Sequence, residues 1–161
     1  MLNFTAWRWS LMVAALWSGA IAGMSFVAVP LMFAKLGPAL AGPVAAKLFS
    51  MQCWIGLVLG LVLLLILRSQ REALQHSPAS AASPEQVMAS MRAVLSTMGI
   101  VVFAMLLAML QEFGVAQKII TARSTGGNLR LWHGLGSLMV LGQWLCSAAV
   151  LWRLSRSTVV R

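Results

Sequence analysis

Residues 55–67 consist of Leu, Ile, Val and Gly alone. No side chain in that stretch can bond water, so its peptide groups have to bond one another, and a helix does this within a single segment. The stretch belongs to one of four apolar runs, at about 9–33, 44–67, 87–115 and 131–152. With a rise of about 1.5 Å per residue, each can span a hydrocarbon core of roughly 30 Å, and the first is long enough to tilt. The expectation is an all-α integral membrane four-helix bundle made of two helical hairpins with short loops. It forms a single transmembrane domain over 1–161, with a polar linker at 69–86.

A soluble domain of this composition is excluded. Only 9% of the chain is charged and 60% is hydrophobic, whereas soluble domains carry about a quarter charged residues. The net charge of +9 raises nucleic acid as a partner. The cations flank the apolar runs instead of lining one face, which points to anionic lipid headgroups instead. No nucleic-acid partner is expected.

The punctuation of the runs supports the hairpins. Pro30 cannot donate to the Phe26 carbonyl, so a bend is expected near the end of the first helix. Gly37-Pro38 and Gly42-Pro43 mark the first connection, with Pro43 suited to the first turn of the next helix. The stretch from His76 to Pro84 has linker composition, which makes His76 a solvated linker residue. Ser83, Pro84 and Gln86 read as a capping box, and Gly126-Gly127 as the last turn. Trp7, Arg8 and Trp9 at one end, and Trp132 and Trp152 around the last run, suit membrane interfaces. Gly19 and Gly23, like Gly56 and Gly60, stand four apart, a spacing that lets helix backbones approach closely within the chain.

With four crossings both termini share a side. That side carries Arg8, Arg68, Arg71, Arg92, Arg153, Arg156 and Arg161, against Lys35, Lys47, Lys118, Arg123 and Arg130 on the other. The bias favours cytoplasmic termini in a bacterial inner (plasma) membrane.

Chemistry is sparse. Asp is absent, no phosphate-binding glycine loop occurs, and Cys53 and Cys146 sit singly in apolar runs as small buried hydrophobes. Nothing identifies an enzyme, and no cofactor is expected. The unusual polar residues gather instead at one end of the expected bundle: Lys35, Lys47, Glu112, Lys118, Arg130 and His133. Such a cluster suits an anionic or metal-bearing ligand, or proton exchange between His133 and Glu112. A ring of snorkelling cations with Glu112 as counter-ion accounts for the same residues and is the commoner arrangement. His133 is a weak candidate haem or metal ligand, because no second ligand stands three or four residues away.

Ser18-Gly-Ala-Ile-Ala-Gly-Met24, Pro30-Leu-Met-Phe-Ala-Lys-Leu36, Ala41-Gly42 and Lys47-Leu-Phe49 resemble the first half of the TMEM205-like proteins, the DUF4149 domain. Trp132-His-Gly-Leu-Gly-Ser137 resembles that family's second signature. The resemblance implies a small four-helix multipass protein without a settled activity. It marks Gly19, Gly23, Pro30, Phe33, Gly42, Phe49, Gly134 and Ser137 as motif or packing positions. Gly136 and Val140 depart from the family's usual Ser and Asn, which removes hydrogen-bonding groups from the last helix. The expected function is an accessory or structural subunit of a membrane assembly, possessing homo-oligomeric or other membrane-protein partners. The alternatives are an oligomeric transporter or sensor of a small solute or metal, and a haem- or metal-binding protein using His133.

Overall fold

A computed structural model describes residues 4–76 and 83–156. Among them every element is helical. In order these are α1 (Phe4–Ala22), a π-helical segment (Gly23–Ala28), α2 (Val29–Gln75), α3 (Pro84–Met109), a second π-helical segment (Leu110–Ala116), α4 (Gln117–Thr125) and α5 (Leu129–Arg156).

The four separate helices expected are instead three continuous helical runs long and apolar enough to cross a membrane: Thr5–Gln75, Pro84–Ala122 and Leu129–Arg156. Together they mark a membrane protein. The π segments join their neighbours without leaving the helical region of backbone space. The expected loop at 35–43 is helical except at Gly37, whose φ of 72° and ψ of 165° interrupt α2. Only glycine adopts that conformation without strain. Pro38 follows at the start of the second arm, where its missing N–H removes no helical bond.

Gly37 folds the first run back on itself. Ser25 donates to Gln52 Oε1 at 3.0 Å across the two arms, although 27 residues of straight helix would separate them by about 40 Å. Trp17, 1% exposed, lies over Gly56, where an added Cβ would stand 3.1 Å from the indole nitrogen. At Gly60 a Cβ would stand 2.8 Å from Met105 Cγ on α3. Gly56 and Gly60 therefore admit α1 and α3 to the surface of α2. Gly19 and Gly23 meet nothing within 4 Å, so the close approach expected of both glycine pairs falls to one pair alone.

The rest of the assembly follows from these contacts: α1 packs on α2 and α5, and α3 packs on α2 and α5. Ile21, Leu63, Leu67, Val101, Ala104 and Val150 fill the centre. At the end carrying the termini, Gln70 donates to Ser10 at 3.1 Å. Trp7 donates to the Leu154 carbonyl at 3.0 Å, so it ties α1 to α5 and is half-buried, where an interfacial anchor was expected. Trp152 is exposed, with the Arg156 guanidinium 4.4 Å from its ring.

Two connections differ from their sequence reading. The linker expected at 69–86 is helical through Gln75, supported by an Arg68–Glu72 ion pair at 2.9 Å. His76 caps that helix, its amide donating to the Glu72 carbonyl at 3.2 Å; the remainder, 77–82, lies outside the described residues. The Ser83–Gln86 capping box forms, with bonds of 3.3 and 3.2 Å. The apolar run expected to end at 115 continues as helix through α4 to Thr125 and stops at Gly126, whose left-handed φ of 73° ends the helix. Asn128 then accepts the Leu131 amide at 3.1 Å to begin α5.

If Gly37 makes the reversal, Gly37→Ala destabilises the protein by about 1–3 kcal/mol through backbone strain. Gly19→Ala, in open helix, is neutral or slightly stabilising. Reversible unfolding of both variants in mixed detergent micelles checks this; equal stabilities would remove Gly37 from that role.

Candidate functional site

At the end of the bundle between the Gly37 reversal and the Gly126 turn the helices line a partly open cavity of about 680 Å³. Its walls are largely apolar, with Phe26, Val29, Phe33, Phe49, Val115 and Val140 among them. Its polar lining comprises Ser25, Lys47, Ser50, Gln111, Glu112, Gln117, His133 and Ser137.

Both π-helical segments border this space. A π turn closes with i→i+5 bonds and inserts one residue into the helical register, a feature found most often at functional sites. The first ends at Ala28, two residues before Pro30 where a bend is expected, and it contributes Ser25 and Phe26 to the cavity. The second contains Gln111 and Glu112. Adjacent residues of an α-helix diverge by about 100°, yet here both reach polar partners inside the bundle. Gln111 Oε1 accepts from Gln143 Nε2 at 2.7 Å, and both residues are buried. Glu112 Oε1 accepts from Ser50 Oγ at 2.6 Å.

Glu112 is half-buried and was expected to neutralise a cation. Among the described residues its partner is the Ser50 hydroxyl, and it makes no ion pair. Of the six clustered residues, Lys47, Glu112 and His133 line the cavity. Lys35, Lys118 and Arg130 are exposed and stand outside its lining. Of the motif positions, Phe33, Gly42, Phe49 and Ser137 contribute to the walls. Pro30 and Gly134 do not, and both are exposed, as are Gly19 and Gly23. Cys53 and Cys146 are free thiols. Among the described residues no three His, Cys, Asp or Glu side chains gather as a metal site.

The buried polar residues among those described are uncharged, with amides among them, which a search by charge does not reveal. Gln52, Gln111 and Gln143 all lie within apolar runs and are all buried. The Gln52 side-chain nitrogen is buried without a hydrogen-bond partner among the described residues. An amide inside an apolar run was the available signal, since its burial is costly unless it is paired.

Gln143→Leu should expose this pairing by leaving Gln111 alone. A double-mutant cycle with Gln111→Leu, read by unfolding in detergent, is expected to give a coupling of about 0.6–1.7 kcal/mol. Strict additivity would show that the 2.7 Å bond contributes nothing.

Comparison with known proteins gives one family assignment. A family model described as "Domain of unknown function (DUF4149)" matches residues 12–128. The matched stretch holds the glycine and proline motifs of the first half and ends before Trp132–Ser137, so the His-Gly element lies outside it. No curated protein and no solved structure matches the chain.

Proposed function

The chain belongs to the DUF4149 family, and from that premise we propose a multipass membrane protein that binds a small amphiphilic ligand without chemically changing it. The observation carrying this reading is the cavity of about 680 Å³ with apolar walls and a few convergent polar groups. Its size falls within the usual range for small-molecule sites, about 300–1,000 Å³. Both arms of the first helical run cross the bilayer in this proposal, making four crossings. The termini face the cytoplasm of a bacterial inner membrane, as the distribution of Lys and Arg favours.

The reading also gives the interior polar pairs a purpose. Helices in lipid gain little from burying apolar surface against one another and depend on close packing and interhelical hydrogen bonds. The Ser50–Glu112 and Gln111–Gln143 bonds hold α2, the second π segment and α5 around the cavity. The helices can then stand apart there without losing their arrangement.

An accessory subunit of a larger assembly remains the competing role, and its motive is weaker than the glycine spacing suggested. Gly56 and Gly60 receive Trp17 and Met105 of the same chain, which leaves that face unavailable to a partner helix. A haem or metal role through His133 has less support, since no three His, Cys, Asp or Glu side chains gather among the described residues.

The ligand reading predicts that protein extracted in mild detergent retains a stoichiometric amphiphile, detected by native mass spectrometry. Ala45→Phe combined with Ser137→Phe, both at cavity-lining positions, should abolish retention in a folded protein. Equal retention by the wild type and the filled variant, or none by either, would refute ligand binding in this cavity.

A further inference from the structure

We propose that the cavity selects an amphiphile whose head carries an ammonium and an acidic group together, as in a phosphoethanolamine headgroup. This deepens the ligand-binding reading and rests on it.

The argument begins with two opposite charges that share a cavity without meeting. Glu112 and Lys47 both line it, yet among the described residues they form no ion pair. Lys47 stands one turn before Ser50 on α2, and three residues along a helix places both on one face. Ser50 in turn holds Glu112 at 2.6 Å. The hydroxyl thus engages the carboxylate from the same helix that carries the ammonium, and the ammonium keeps its own bonding capacity.

A carboxylate offers about four acceptor positions, and among the described residues only one bond to Glu112 is present. In half-buried, largely apolar surroundings the remaining capacity is costly to leave unused. It calls for a donor, and a cationic donor most of all. Lys47, at an exposed position, lines the same space and supplies a cationic donor there.

A simple cation in the cavity would meet the Lys47 ammonium as well as Glu112. A simple anion would meet the Glu112 carboxylate as well as Lys47. Each loses through repulsion part of what it gains through attraction, and weak screening among apolar walls magnifies both effects. A head carrying both charges can satisfy both residues at once. His133 and Ser137 on α5 line the same space and add hydrogen-bonding groups for the acidic part of the head.

The walls account for the tail. Phe26, Val29, Phe33, Phe49, Val115 and Val140 provide an apolar surface continuous with the polar group. Phe26 is braced edge-on by Trp144, with ring centroids 5.3 Å apart. The volume accommodates a headgroup and the first part of a chain, so the remainder of a long chain would lie along the exposed apolar exterior.

Binding to the full chain in lipid-free detergent, measured by native mass spectrometry titration, tests the inference. The probes are phosphatidylethanolamine, phosphatidylglycerol, an uncharged diacylglycerol and free phosphoethanolamine. Phosphatidylethanolamine is expected to bind at least about tenfold more tightly than the other two lipids, the effect of one charge-assisted bond. Glu112→Gln retains an acceptor for Ser50 and should remove that preference while leaving phosphatidylglycerol binding unchanged or stronger. Lys47→Met, at an exposed position that puts little folding at risk, should weaken both phospholipids about tenfold and spare diacylglycerol.

Free phosphoethanolamine that competes as well as the lipid would identify a soluble zwitterion as the ligand and support the same head chemistry. Much weaker competition would identify the membrane lipid. Equal binding of all three lipids, still lost in the Ala45→Phe/Ser137→Phe variant, would overturn the zwitterion inference and leave the cavity as a site. No probe binding sensitive to that variant would overturn both.

Discussion

A helix that reverses direction in apolar surroundings has to do so without stranding peptide N–H and C=O groups. The chain meets this constraint at Gly37, the one residue of α2 outside helical geometry. Its φ of 72° belongs to a backbone region that a side chain would oppose. Both arms keep helical geometry up to the break, and the reversal consumes almost no chain. The consequences extend through the fold: Trp17 comes to rest on Gly56, Ser25 reaches Gln52, and α2 presents its remaining faces to α3.

The reversal lies at the open end of the bundle, away from its tightly packed part. Toward the termini, Ala14, Leu63, Leu67, Val101, Val150 and Leu154 close the interior. Toward Gly37 the interior widens and the two π segments appear. A wider turn presents extra side chains without ending the helix. The second segment uses this freedom to bring neighbouring residues, Gln111 and Glu112, to partners on different helices. Apolar residues in both places would have packed more readily. Polar pairs instead give the widened end defined partners, as hydrogen bonds do where hydrophobic burial offers little drive.

Hydropathy alone made the apolar helical character of the chain legible, because residues 55–67 leave the backbone no other recourse. The Ser83 capping box and the Gly126 turn were legible from local chemistry. Continuity was not: Gly37-Pro38 and Gly42-Pro43 resemble a loop, and only the backbone shows that one glycine performs the reversal. The π segments were hidden as well, since Gly23–Ala28 and Leu110–Ala116 have no composition that distinguishes them from α-helix. At the site, Lys47, Glu112 and His133 could be picked out by charge. Ser50 and the three glutamines required knowing which helix faces meet, information that lies in tertiary packing.

The restraint with which charge is used here bears on what the open end is for. A protein that needed only to be stable could have left all of its few charges exposed outside the cavity, as it does with Lys35, Lys118 and Arg130. Alternatively, it could have paired Glu112 directly with Lys47. Neither arrangement is present: the carboxylate is half-buried, bonded to a hydroxyl, and shares a cavity with an ammonium that it does not touch. The Ser50 bond uses one of about four acceptor positions on the Glu112 carboxylate. In the proposed binding mode a ligand with its own ammonium and acid engages both residues at once.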